Sequence, residues 1–151
     1  MQKLKSIAKL PMLATLFIGL FSFTGNLGGD VFKIYVGGKM VLEQYVAAKE
    51  STKSVYLSKS NLNETVDIYY SHCGHVGTGR HITVKDGQGR VVKTWNFPDA
   101  VGANVAMSCK VKDIVGQQNS NTITLYYSSK ELPEGKVLAT VLVKSDAVTT
   151  R

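Results

Sequence analysis

Apolar and polar residues alternate one for one in short runs between residues 32 and 143, and each run stops at a cluster of Gly, Pro, Asn or Ser. A period of two is the period of a half-buried β-strand, because successive side chains leave the backbone on opposite faces. Phe32, Ile34 and Val36 share one face of the first run, with Lys33 and Tyr35 on the other. Gly37-Gly38 separates this run from a second, Met40 to Val46. That spacing predicts a hairpin, since glycine supplies the positive φ of a tight turn. Further strands are expected at 54–57, 66–72, 81–85, 90–97, 105–111, 122–128 and 137–143. Polar or Gly-rich turns separate them, Asp86-Gly87-Gln88-Gly89 being a strong hairpin signal. In the seventh strand Val105, Met107, Cys109 and Val111 face one way and Ala106, Ser108 and Lys110 the other. Single helical turns fit only at 99–104 and 113–117.

Nine short strands at near-regular spacing predict an all-β fold, a two-sheet antiparallel sandwich of immunoglobulin-like architecture. A jelly roll or small barrel is the alternative. Trp95 and Phe97 are expected in the core. Tyr35, Tyr69 and Tyr126 lie opposite the apolar sets of their strands, where cross-strand aromatic pairs form.

The first 24 residues read differently. Lys3, Lys5 and Lys9 precede an almost wholly apolar run, Leu10 to Phe23, and small residues follow at Thr24 and Gly25. This is the three-part pattern of a cleavable signal peptide, 1–24. The run is short for a bilayer-spanning helix, which needs about 20 apolar residues. Residues 25–151 then form one domain, free of any integral membrane segment after cleavage. Its address is extracytoplasmic: periplasm, cell surface or medium.

Export changes the charge balance. The chain has 18 Lys and Arg against 11 Asp and Glu. Losing Lys3, Lys5 and Lys9 leaves 15 basic against the same 11 acidic residues, a net of +4. The remaining lysines are scattered among strands and turns, not gathered into the patch or stripe of a nucleic-acid binder. No nucleic-acid partner is expected. Lysines so placed also discourage edge-to-edge sheet pairing. Asn63-Glu64-Thr65 matches a glycosylation acceptor, meaningful only in a eukaryotic secretory pathway.

All three histidines fall within ten residues: His72, His75 and His81, with Cys73 among them. Imidazole and thiolate suit Zn or Cu. If the flanking strands pair as a hairpin, His72 and His81 meet at its mouth and His75 rides on the loop. His72, Cys73, His75 and His81 are therefore candidate metal ligands, though their spacing matches no established motif. Cys73 beside a histidine also raises a Cys-dependent enzyme, which needs an orienting group and an oxyanion site that the sequence does not display. The two cysteines, Cys73 and Cys109, form an even pair in an oxidising compartment, so a disulfide between them is expected. No paired carboxylates, triad spacing or cofactor loop is visible, and no cofactor is expected beyond a Zn or Cu ion at the histidine cluster. The expectation is thus a non-enzymatic binding or structural module whose partner is a protein or a glycan. A periplasmic metal-binding protein is the alternative.

Overall fold

The computed structural model describes residues 29–46, 51–102, 104–116 and 122–144. The expected signal peptide, the loop 117–121 and the tail from residue 145 lie outside the described residues. Among the described residues, nine strands follow in order: β1 (Val31–Val36), β2 (Lys39–Tyr45), β3 (Lys53–Ser58), β4 (Thr65–Ser71), β5 (Arg80–Asp86), β6 (Val91–Phe97), β7 (Met107–Lys110), β8 (Thr122–Ser128) and β9 (Lys136–Lys144). Among the described residues, one short α-helix, α1 (Val111–Val115), follows β7, and a single 3-10 turn, Lys59–Asn61, follows β3. The expected seventh strand, 105–111, is therefore shortened to four residues: it starts at Met107 and ends at Lys110. Val111 and Ile114 are both fully buried, a helical spacing of three that the strand reading of Val111 did not separate from a period of two.

The strands form two sheets and not a closed barrel. One has the order β2-β1-β4-β7 and the other β3-β9-β8-β5-β6. All neighbours are antiparallel except β3, which runs parallel to β9. Gly37 (φ 56°) and Gly38 (φ 78°) make the β1–β2 turn as their sequence predicts. The core lies between the sheets. Phe32, Ile34, Ile68 and Met107 come from the first sheet and Ile82, Val84, Ile123, Leu125 and Val141 from the second, all essentially without exposure. Trp95 and Phe97 pack against this core while remaining partly exposed. Tyr35 and Tyr69 meet edge-to-face across β1 and β4, with ring centroids 5.5 Å apart, on the outer face of the first sheet.

The links between strands close the two ends of the sandwich differently. At one end α1 drops Val111 and Ile114 into the core. The Val111 N–H donates to the Glu64 carbonyl at 3.0 Å, and Lys93 pairs with Asp113 at 3.0 Å, so α1 is tied to both sheets. At the other end gather the start of β1, the end of β4, the start of β5 and the end of β8. That end is polar. Among the described residues, no helix is long and apolar enough to cross a membrane.

Candidate functional site

The polar end follows from the strand period carried one step too far. On β1 the inward set is Phe32, Ile34 and Val36, so Asp30, just before the strand, also points inward. On β4 the inward set Val66, Ile68 and Tyr70 extends to His72. On β8 the set Ile123, Leu125 and Tyr127 extends to Ser129, which is 4% exposed. Val31 pairs with Ser71, which puts Asp30 beside His72. The cross-sheet gap then brings Ser129 and Tyr127 to the far side of the imidazole.

His72 Nδ1 lies 3.1 Å from Asp30 Oδ2. Its Nε2 lies 3.0 Å from the Tyr127 hydroxyl and 3.2 Å from Ser129 Oγ. An ionised carboxylate only accepts, so Nδ1 carries a proton in either charge state of the ring. The Tyr70 hydroxyl donates to the same Asp30 oxygen at 2.9 Å. Tyr70 stacks on Tyr127 across the sheets, with centroids 4.1 Å apart and planes 12° from parallel. Burial pushes the Tyr70 phenol well above its usual range, and the Asp30 carboxylate accepting from it adds to this. Burial also raises the Tyr127 phenol. Both rings therefore stay protonated as hydrogen-bond donors at any physiological pH.

A carboxylate, an imidazole and a serine hydroxyl in this order match the connectivity of a hydrolytic triad. The surroundings do not match its work. Ser129 Oγ accepts the Leu132 N–H at 3.2 Å and sits inside the molecule. Gly77 lies directly on the cluster: a Cβ there would come within 2.6 Å of the Tyr127 hydroxyl and 2.9 Å of His72 Nε2. The loop carrying Gly77 is fastened down by Glu131, whose carboxylate accepts the Thr78 N–H at 2.9 Å and the Thr78 hydroxyl at 2.9 Å. Those bonds hold the Glu131 carboxyl down, at about 2. Ser129 also lines a shallow open depression with Gly79, His81, Ser128, Lys130 and Pro133, while its Oγ is engaged by His72 Nε2 and the Leu132 N–H. The geometry instead gives an inter-sheet strut, in which buried polar groups satisfy one another.

Arg80 is a second polar residue of this end, 2% exposed. Its two terminal nitrogens donate to the Val105 carbonyl at 3.1 Å and the Pro98 carbonyl at 2.8 Å. It thereby clamps the segment that crosses from β6 in one sheet to β7 in the other.

The expected ligand cluster is dispersed. His72 and His75 bond to each other through backbone only, His72 N–H to His75 carbonyl at 2.7 Å and the reverse at 3.0 Å. Cys73 (φ 50°) and Gly74 (φ 92°) form the two-residue turn between them. The ring of His72 is engaged at both nitrogens, and His75 is exposed. His81 lies on the outer face of the other sheet, its Nδ1 2.6 Å from Asn96 Oδ1. The expectation that β4 and β5 pair as a hairpin is corrected: β4 pairs with β1 and β7, β5 with β6 and β8, and 72–81 is a crossover between sheets. Among the described residues, no three of His, Cys, Asp and Glu are gathered in a metal-holding group.

The expected Cys73–Cys109 bridge is also corrected. Cys109 is buried on β7 opposite Val66, near the start of β4. Cys73 is exposed, beyond the other end of β4. Seven residues at about 3.3 Å each separate the two positions by roughly 20 Å, against the Cα separation of at most about 7 Å that a disulfide spans. Burial pushes the Cys109 thiol up to about 12, so it behaves as a small apolar side chain.

Sequence reasoning missed Asp30, Tyr127, Ser129 and Arg80. The signal for the first three was present: Asp30 and Ser129 continue the inward parity of a strand past its end, and Tyr127 is the last inward residue within β8. No family model matches the chain, and no curated protein is similar to it in sequence.

Proposed function

We propose that this chain is an exported, non-enzymatic β-sandwich module that acts through its surfaces. The observation that carries this reading is the mutual engagement of the Asp30–His72–Ser129 chain where the sheets meet: both His72 ring nitrogens are occupied, Gly77 lies over Nε2, and Ser129 Oγ already accepts the Leu132 N–H. Signal-peptide character at 1–24 supports export. The strand order supports an immunoglobulin-like arrangement: the chain crosses between sheets at β4–β5, β6–β7 and β7–β8, and β3 runs parallel beside the last strand.

Intact-mass analysis of the native protein after treatment with a fluorophosphonate and iodoacetamide tests the non-enzymatic reading. One alkylation at Cys73, none at Cys109 and no adduct on Ser129 are expected. Stoichiometric phosphonylation of Ser129 would show that the chain of residues activates a nucleophile, and the reading would fall. Export is checked by N-terminal sequencing of the extracytoplasmic protein, with a start near Gly25 expected.

A further inference from the structure

The five-stranded sheet has an outer face whose chemistry differs from that of the four-stranded sheet, whose strands carry Glu43 and Asp67. Across its strands β3, β9, β8, β5 and β6 the sole carboxylate is Asp86, at the turn end, where Arg90 holds it at 2.8 Å. The register lays hydroxyl side chains in rows: Thr140 beside Thr124 and Thr83 beside Thr94, the latter pair 3.1 Å apart through their oxygens. Two tyrosines stand among them. Tyr56 is 57% exposed, and Tyr126 is partly exposed beside Thr83.

Each tyrosine carries an ammonium group. Lys85 Nζ lies 4.0 Å from the Tyr126 ring centroid and Lys144 Nζ 4.4 Å from that of Tyr56. Among the described residues, neither ammonium is paired with a carboxylate. A ring face attracts a cation without neutralising it. Both charges therefore remain available while their side chains are pre-positioned. The register places Tyr56 level with Thr122, and Tyr126 lies four residues further along β8 and two strands from β3. That separates the two Lys–Tyr pairs by roughly 16 Å, a distance suited to an extended chain and not to a single small anion.

We propose that this face binds an acidic polysaccharide, a chain of uronic-acid type. Its carboxylates would meet Lys85 and Lys144, and its hydroxyls the threonine rows. Among the described residues, Lys85 and Lys144 are the ammonium groups held over tyrosine rings, and two charges so far apart fit the widely spaced charge of a uronate chain better than the dense charge of a sulfated polymer or a nucleic acid. The inference rests on the non-enzymatic reading above and names its partner class.

The test is affinity electrophoresis of the mature protein in gels containing polygalacturonate, dextran, dextran sulfate or single-stranded oligonucleotide, with reducing ends measured in parallel. Retardation by polygalacturonate and not by dextran is expected. A Lys85→Gln/Lys144→Gln variant should lose tenfold or more in apparent affinity, and Tyr56→Ala several-fold. Lys33→Gln, on the other sheet, should change nothing. Both altered lysines are surface groups, and an unchanged Tm shows that the variants fold. No retardation by polygalacturonate overturns the proposal and leaves the binding-module reading standing. Stronger retardation by dextran sulfate or oligonucleotide, equally weakened by Lys33→Gln, means unselective cation exchange and overturns it too. New reducing ends would overturn the non-enzymatic reading instead.

Discussion

The two ends of the sandwich solve one problem in two ways. Both must seal the gap between sheets where strands stop and links cross. The helix end does it with hydrocarbon: α1 inserts Val111 and Ile114, and the buried Cys109 thiol sits beside them in sequence. The other end does it with a hydrogen-bonded chain, Tyr70–Asp30–His72–Tyr127/Ser129, roofed by Gly77 and latched by Glu131. An apolar seal is non-directional and depends on filled volume. A polar seal is directional, so one missing partner strands the others. The difference teaches that triad-like connectivity at a sandwich end is also a way for polar groups to satisfy one another where two sheets meet.

Substitutions can break this contrast. The largest effect is expected at the apolar end. Ile114→Ala should cost about 3 kcal/mol by denaturant unfolding, the transfer and cavity cost of a fully buried isoleucine. That loss should be the same at pH 5 and pH 8. His72→Ala should cost about 2 kcal/mol, because Asp30, Tyr127 and Ser129 are left with unmet partners in a partly buried site. A loss of only a few tenths would mean that the chain is not a strut.

Gly77→Ala probes the roof. Its Cβ would meet the Tyr127 hydroxyl, the Glu131 carboxylate and His72 Nε2 below 3.0 Å. The ring of Tyr127 is locked between sheets, so overpacking of about 1–2 kcal/mol should appear in the Tm. A neutral result would show that the loop lifts freely from the cluster. Cys73→Gly should act in the opposite direction. Cys73 holds φ 50°, a left-handed conformation that costs a side-chain-bearing residue about 1 kcal/mol, and glycine relieves it.

The smallest effect sharpens the pH side of the contrast. The folded Glu131 carboxyl is held at about 2, below its unfolded value near 4.3. Its contribution is present above the unfolded value and is lost as pH falls towards the folded one. Glu131→Gln should therefore flatten the stability curve between those limits, by roughly a few tenths of a kcal/mol because solvent screens so exposed a group. Tyr70 and Tyr127 work at the other limit. Their folded values lie above the unfolded one near 10, so their contribution is full below that value and fades as pH rises past it. Acid titration by circular dichroism checks the first, and alkaline unfolding of Tyr127→Phe the second.

Much of this was legible beforehand, and the reasons are local. The Gly37-Gly38 turn, the inward sets on β1, β4 and β8, and the opposite placement of Tyr35 and Tyr69 all follow from period two and glycine's freedom at positive φ. The same rule, run one residue further, predicts that His72 faces the core with Tyr70. The histidine-cluster expectation failed on a non-local matter. Proximity of His72 and His81 required β4 and β5 to be neighbours, and the chain between them crosses from one sheet to the other instead. Val111 failed on an ambiguity of period, since a short apolar run serves a strand or a helical turn equally well.

What the amino-acid order determined by itself is therefore most of the strand inventory and the face that most strand side chains take. Those depend on backbone geometry within a few residues. Pairing, sheet membership and the roof over His72 were decided only in the tertiary structure, because they depend on contacts between segments distant in the chain, such as Asp30, His72 and Ser129. The alternation says that all three point inward. Only the closing of two sheets on each other says that they meet.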